Sequence, residues 1–189
     1  MNEIEDLEKL LRDNEAFRTK YGYNPHDNYV WREIMSFNYL KDIYPTIQKV
    51  SGRYKEDGNC SELDLKWIEH KSTNKLIRKK SQTYNFDKIY FEFDTGESRM
   101  RHMHEIDGFI FGIYDRGSVE HPNPVSILFV YGENLKTLIS IIEEEKKRFF
   151  DEGIRKRDTI EIYYQTIAPL AEVFGVKPEP LSNIMEFIL

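Results

Sequence analysis

The strongest chemical signal in the chain is the triplet Glu69-His70-Lys71, which places a carboxylate and an amine two residues apart. From about Ser61 to Ser72 the sequence alternates between apolar and polar residues, which is typical of a β-strand. Because side chains alternate across a strand, Glu69 and Lys71 should share one face and His70 should point to the other. The triplet therefore predicts a carboxylate and an amine that can act on one target.

Acidic residues precede this triplet at Asp57, Glu62 and Asp64. Two converging carboxylates can bind Mg²⁺, a hard cation that prefers oxygen ligands, and a nearby lysine can orient the attacking water or stabilise the transition state. These are the requirements of phosphodiester hydrolysis. We predict that Glu69 and an upstream carboxylate bind the metal and that Lys71 completes the catalytic set.

The identity of the upstream carboxylate stays open at this point. A tight hairpin centred on Lys66-Trp67 would place Asp64 opposite Glu69, although Lys-Trp is a poor turn sequence. Glu62 leaves a longer spacer, and Asp57 precedes Gly58, which favours a turn. We rank Asp64 first, Glu62 second and Asp57 third.

Two further acid-x-lysine triplets, Glu144-x-Lys146 and Glu145-x-Lys147, fall in a predicted helix, where they form a solvated charged face. The triplet at 69–71 differs because it lies on a predicted strand. It also leads into the stretch 71–80, which begins with Lys71 and contains five basic residues and no acidic one. We predict that this stretch contacts a phosphate backbone through Lys75, Arg78, Lys79 and Lys80. The alternative is a surface strand with alternating charges followed by a basic loop.

A second basic segment lies between two predicted strands, after Thr95-Gly96, and its polar side chains could contact base edges in the major groove. The candidate DNA-binding residues there are Arg99, Arg101, His102 and His104. An exposed polar connection is the alternative, and a transition-metal site that includes His121 is a weaker one. Glu33, on a predicted helix, is expected to face solvent rather than the site.

The predicted elements are helices in the first third, strands in the middle and a long helix followed by a strand. They are a helix at Glu3–Asn14, a helix after Asp27, strands at Phe86–Asp94, Ile106–Tyr114 and Val125–Tyr131, a helix from Gly132 to near Gly153, a strand at Thr159–Ile167 and a short helix at Pro169–Phe174. This order predicts one α/β (α+β) domain over 1–189, with a mixed, mostly antiparallel sheet flanked by helices. Its parts would be N-terminal helices (1–50), a sheet core with the site (51–167) and a C-terminal segment (168–189).

Composition narrows the classes of protein. The single cysteine, Cys60, excludes an intramolecular disulfide and a cysteine-built zinc site. The acidic N-terminus lacks a signal-peptide pattern, and no apolar run approaches the roughly 20 residues of a membrane span, so we expect a cytoplasmic protein without a membrane partner. The net charge of −6 argues against nonspecific coating of nucleic acid but is compatible with a metal-dependent nuclease.

Over roughly residues 27–150, the sequence resembles the PD-(D/E)XK nuclease superfamily, especially small type II restriction endonucleases. The family pattern is an acidic residue, a spacer, then Glu or Asp, any residue and Lys on a central strand, which here would be Asp64 or a neighbour, Glu69 and Lys71. The resemblance implies a restriction-endonuclease-like core and Mg²⁺-dependent, sequence-specific cleavage of double-stranded DNA by a homodimer. Alternatives are a nicking, repair or junction-resolving nuclease of the same superfamily, and a non-catalytic DNA- or protein-binding domain.

Overall fold

A computed structural model describes residues 28–50, 56–76, 84–115, 124–153 and 159–175. The helices and strands in chain order are α1 (Asn28–Lys41), β1 (Ile47–Lys49), β2 (Gly58–Cys60), a 3₁₀ helix (Ser61–Leu63), β3 (Leu65–Leu76), β4 (Tyr90–Asp94), α2 (Glu97–Met103), β5 (Gly108–Asp115), β6 (Pro124–Tyr131), α3 (Gly132–Asp151), β7 (Thr159–Tyr163), α4 (Tyr164–Ile167), a second 3₁₀ helix (Ala168–Leu170) and β8 (Glu172–Gly175). The helix predicted at Glu3–Asn14 lies outside the described residues. No helix in the described ranges has the length and apolar character needed to cross a bilayer.

The main sheet has six strands in the order β1-β2-β3-β5-β6-β8. Strands β3 and β5 run parallel, and every other neighbouring pair in this sheet is antiparallel. Strands β4 and β7 form a separate two-stranded antiparallel sheet. The protein is therefore of mixed α/β class, with a mixed sheet flanked by helices, as the sequence predicts.

Apolar side chains cover both faces of the main sheet. Phe109 and Phe111 of β5 pack in a cluster with Leu138 and Ile142 of α3 and with the small sheet. Ile110, between them, packs on the other face with residues of α1. The period-two alternation of side chains along β5 thus places α1 on one side of the sheet and α3 on the other.

Two C-terminal predictions differ from the structure. The predicted strand Thr159–Ile167 ends at Tyr163, and the next four residues form the helical turn α4, which buries Tyr164 and Ile167. The helix predicted at Pro169–Phe174 is a short 3₁₀ turn followed by β8. Strand β8 lacks an alternating burial pattern, so its conformation is set by pairing with β6 and not by local sequence.

The connection between β2 and β3 also differs from the predicted hairpin. The chain turns through the 3₁₀ helix and Asp64, whose backbone is left-handed at φ 54°. Lys66 and Trp67 lie within β3, and their backbone N–H groups donate to Asp107 Oδ2 at 2.9 Å each. The prediction of a turn at Lys66-Trp67, which would have brought Asp64 opposite Glu69, is therefore wrong.

Gly112 of β5 permits a close approach of α1 to the sheet. A Cβ at this position would lie 2.5 Å from Ser36 Oγ and 2.7 Å from the Tyr114 ring. We expect Gly112→Ala to lower the free energy of unfolding by about 1–3 kcal/mol, the usual cost of overpacking a core. Urea denaturation measures this, with Gly96→Ala as the control, because its Cβ would meet only the Asp94 carboxylate, at 3.1 Å. Equal stabilities of the two variants would contradict the prediction.

Candidate active site

Strand β3 carries the predicted Glu69-x-Lys71 pair at the centre of the molecule, between β2 and β5. Glu69 and Lys71 line the same cavity, together with Trp67, which precedes Glu69 by two residues. His70 contacts Ser36 of α1 on the opposite side of the strand. The alternation predicted from the sequence is confirmed.

Asp57 is the acidic residue that the fold brings to Glu69. Strands β2 and β3 are antiparallel with Gly58 opposite Ile68, so Asp57, one residue earlier, lies opposite Glu69. Its backbone N–H donates to Ile68 O at 3.0 Å, and its Oδ2 accepts the His70 backbone N–H at 2.7 Å. The Asp57 and Glu69 carboxyl groups also share a hydrogen bond, so the two side chains are in direct contact.

Asp64 and Glu62, the two carboxylates ranked above Asp57 in the sequence analysis, are both exposed on the surface. Asp64 is exposed at the end of the 3₁₀ helix. Glu62 is also exposed, and its Oε2 accepts hydrogen bonds from the Thr46 backbone N–H at 3.0 Å and the Thr46 hydroxyl at 2.8 Å. The structure therefore brings the third-ranked residue, Asp57, to Glu69 and leaves Asp64 and Glu62 on the surface.

The environment of Glu69 strongly favours its protonated form. Burial raises the pKa of Glu69 to about 8, the negative charge of Asp57 and its hydrogen bond add to the rise, and the charges of Lys71 and Arg99 oppose it. Two carboxyl groups in contact cannot both ionise cheaply, so Glu69 keeps its proton near neutral pH when no cation is bound. A bound cation would favour the ionised form of Glu69 and so oppose this shift.

Lys71 is half-buried in the cavity wall. Burial lowers its pKa, while the nearby carboxylates of Glu69 and Asp57 act in the opposite direction. Its Nζ lies 4.7 Å from the centre of the Phe93 ring, a cation–π distance that fixes the amine on the cavity floor. The amine therefore has a defined position beside Glu69.

Glu33 is a third carboxylate near the site, and the expectation that it faces solvent is wrong. It is only 4 % exposed and forms a buried ion pair with Lys49 of β1. Burial and the charge of Asp57 raise the pKa of Glu33 to about 7, and Lys49 opposes the rise. A signal was present in the sequence, because Glu33, Phe37 and Leu40 follow the four- and three-residue spacing of one helix face.

The sequence alone does not identify Lys49 as the partner of Glu33, because the contact depends on how β1 lies against α1.

Across the described residues, no group of three or more His, Cys, Asp or Glu side chains has a metal-binding arrangement. The acidic set at the site is the Asp57–Glu69 pair, with Glu33 interacting electrostatically with Asp57.

A buried polar network supports the strand from behind. His70 Nε2 lies 2.9 Å from Ser36 Oγ, which lies 2.7 Å from the Tyr114 hydroxyl. Tyr114 donates in turn to the backbone oxygen of Arg32, whose Nε donates to Ser72 Oγ at 2.9 Å. Burial lowers the pKa of His70 to about 3, so this histidine is neutral and holds α1 against β3.

The second basic segment, after Thr95-Gly96, is a helix, α2 (Glu97–Met103). Arg99 and His102 face a cavity of about 590 Å³ that also contains Glu69 and Lys71. Arg101 is exposed, and His104 pairs with Glu143 of α3 at 2.8 Å. Helix α2 therefore presents two of the four predicted basic side chains to the site.

The predicted phosphate-contacting residues follow the site along the chain. Lys75 lies near the end of β3. Arg78, Lys79 and Lys80 lie outside the described residues. Their contacts with DNA stay a prediction.

Comparison with known protein families and with curated proteins finds no match for this chain. The functional interpretation therefore depends on the chemistry and geometry of the site.

Proposed function

We propose that the protein is a Mg²⁺-dependent endonuclease that hydrolyses double-stranded DNA, with Asp57, Glu69 and Lys71 as its catalytic set. One observation carries the proposal: the Asp57 carboxyl contacts Glu69 on the strand that also presents Lys71 to the same cavity. With Asp57 as the first acidic residue, the set has the order of the PD-(D/E)XK pattern described above. The restriction-endonuclease-like core is part of this proposal.

The residues present suit a magnesium ion. Asp57 and Glu69 offer carboxylate oxygens, the ligands that Mg²⁺ prefers, and the raised pKa of Glu69 marks a place where positive charge is favoured. When bound, Mg²⁺ would lower the pKa of a water molecule and neutralise charge on the phosphate. Asp57 is held in orientation by the His70 N–H, so the pair is prearranged for this role.

The other groups of the site bind and orient the substrate. Lys71, beside Glu69, is placed to position the attacking water or to stabilise the pentacovalent phosphate. Arg99 lies at the same cavity and can contact a phosphate oxygen. The buried Glu33–Lys49 ion pair lies close enough to Asp57 for its charges to interact with the Asp57 carboxylate.

The proposed substrate and assembly follow from the same resemblance. The basic segment that follows β3 would contact the backbone of duplex DNA, and two copies would each cut one strand. Incubation of plasmid with protein and Mg²⁺, followed by sequencing of the fragment ends, tests this. Discrete fragments support a restriction-type enzyme, nicked circles support a nicking or repair nuclease, and an intact plasmid overturns the proposal.

Lys71→Ala is expected to reduce the cleavage rate by about 100-fold or more, because electrostatic stabilisation of a transition state by one group typically contributes several kcal/mol. Lys146→Ala is the matched control, since Lys146 belongs to an acid-x-lysine triplet on the outer helix α3. Initial rates on plasmid with Mg²⁺ measure both. Equal rates for the two variants would show that Lys71 has no catalytic role.

A non-catalytic DNA-binding domain predicts a different result by calorimetry. The nuclease should bind Mn²⁺ or Ca²⁺ and lose this binding in Glu69→Gln. A chain in which these carboxylates are only structural should bind neither ion at this site.

A further inference from the structure

The cavity beside Glu69 is larger than phosphodiester hydrolysis requires, and apolar side chains form part of its wall. A phosphate and its metal ion need a shallow polar site, whereas this cavity has a volume of about 590 Å³. That volume falls within the roughly 300–1,000 Å³ typical of sites for organic ligands. The cavity therefore has room for a ligand group beyond the phosphate.

Its walls suit a flat, neutral, partly polar ring. Trp67 and Ile106 are half-buried and present apolar surface, with Met103 and Phe109 beneath them. The Trp67 and His102 rings pack against each other, with centres 6.2 Å apart and a tilt of 38°, and together they form one aromatic wall of the cavity. Stacking on aromatic side chains is a general way to bind any nucleobase.

Polar groups are placed where a base edge would need them. Ser98, Arg99 and His102 of α2 line the cavity and can donate or accept hydrogen bonds. A second phosphate would suit Arg99 but not the apolar walls. The combination favours a base over another charged group.

The cavity also lies next to the place where the phosphate would bind. Trp67 and Glu69 are two residues apart on the same face of β3, a step of about 6.6 Å along a strand. A base in this cavity would thus belong to a nucleotide beside the bond that is cut. Bases in an intact duplex are stacked inside it, so a concave cavity can take only one that has left the stack.

We infer that this cavity binds one unpaired nucleobase, and that the preferred substrate is a duplex in which the base beside the cut is unpaired or easily extruded. The position of the base relative to the cut rests on the proposed nuclease function. Base binding itself rests only on the walls and size of the cavity.

Fluorescence anisotropy with two labelled duplexes of identical sequence tests the inference. In one, all bases are paired, and in the other a central base faces an abasic position, which removes most of the cost of extrusion. Ca²⁺ replaces Mg²⁺ so that binding is measured without cleavage. The wild-type protein should bind the duplex with the unpaired base about tenfold more tightly, in line with the energy of one base–aromatic stack.

Ser98→Trp should abolish this preference, because Ser98 is exposed on α2 and an indole there would fill the cavity without disturbing the core. Ser140→Trp is the control, at an exposed helical serine of α3 outside this cavity. Equal binding of both duplexes by the wild type, or a preference that survives in Ser98→Trp, would overturn the inference.

These results are separable from the plasmid assay. If the plasmid stays intact with Mg²⁺ while the preference for the unpaired base persists, the nuclease proposal fails and base binding stands. If the plasmid is cut while both duplexes bind equally, the nuclease proposal stands and base binding fails.

Discussion

Asp57→Asn is expected to lower the rate of Mg²⁺-dependent DNA cleavage by at least about 1,000-fold, since charge stabilisation through a bound metal contributes several kcal/mol to the transition state. The substitution removes one of the two carboxylates in contact at the site while keeping the shape of the side chain. Its amide can still accept the His70 N–H through its oxygen, so the β2–β3 connection should stay folded. Initial cleavage rates and metal affinity by calorimetry should fall together.

Asp64→Asn and Glu62→Gln are the matched controls, because each removes one acidic charge upstream of Glu69. Both residues are exposed, and Glu62 is engaged with Thr46. We expect both variants to cleave within about twofold of the wild-type rate, as surface substitutions usually have small effects. A large loss in Asp64→Asn with an active Asp57→Asn would show that the site uses a different pair of carboxylates.

The contrast between Asp57 and Asp64 shows why the local part of the site could be predicted and its long-range part could not. The positions of Glu69 and Lys71 on one face of β3 depend only on strand period, which the sequence displays. The partner of Glu69 depends on where the preceding turn falls. The chain turns through a 3₁₀ helix that ends at Asp64 with φ 54°, a left-handed conformation that Asp tolerates better than most residues. That turn places Asp57, and not Asp64, opposite Glu69.

The remaining differences have related causes. The sequence does not predict helix α2, because Thr95-Gly96 favours a turn, although Met100 and Met103 have helical spacing and Met103 is buried. Strand β8 exists through pairing with β6, and the Glu33–Lys49 ion pair through packing of β1 against α1. The mixed α/β fold could be predicted because the apolar residues of most strands and helices follow a clear strand or helix periodicity.

Two chemically distinct sides of β3 emerge from this arrangement. On one side, Glu69 and Lys71 line a cavity and have shifted pKa values, and Asp57 contacts Glu69. On the other, His70 is neutral and fully engaged with Ser36, which makes that face structural. The chemistry proposed for the site therefore depends on the cavity side of β3, while the other side holds α1 against the sheet.

Glu69→Gln is expected to abolish cleavage and, in the absence of divalent metal, to stabilise the protein at alkaline pH. The pKa of Glu69 is raised to about 8 in the folded protein, well above its ordinary value. The folded state therefore holds this proton more tightly than the unfolded state, so its contribution to stability is complete below about pH 4.5 and is lost as the pH rises toward 8. Glu33, whose pKa is raised to about 7, acts in the same direction.

Thermal unfolding with EDTA at pH 6 and pH 8.5 measures this effect. A gain of about 1 kcal/mol or more at pH 8.5 would raise Tm by roughly 2–4 °C in a chain of this size, with a smaller gain at pH 6. Glu144→Gln on the outer face of α3 is the control and should leave Tm unchanged at both values. A Glu69→Gln protein that is less stable than wild type at pH 8.5 would contradict the proposed environment of this carboxyl.

Divalent metal should also stabilise the wild type more at alkaline pH. Because a cation and a proton compete for the Asp57–Glu69 pair, added Mg²⁺ or Ca²⁺ should raise Tm more at pH 8.5 than at pH 6. The same addition should leave Glu69→Gln almost unaffected, since its remaining carboxylate lacks the partner that makes the site. A metal-induced rise in Tm of equal size in both proteins would place the cation elsewhere. The contact between Asp57 and Glu69 would then be structural, and the raised pKa of Glu69 would not mark a metal site.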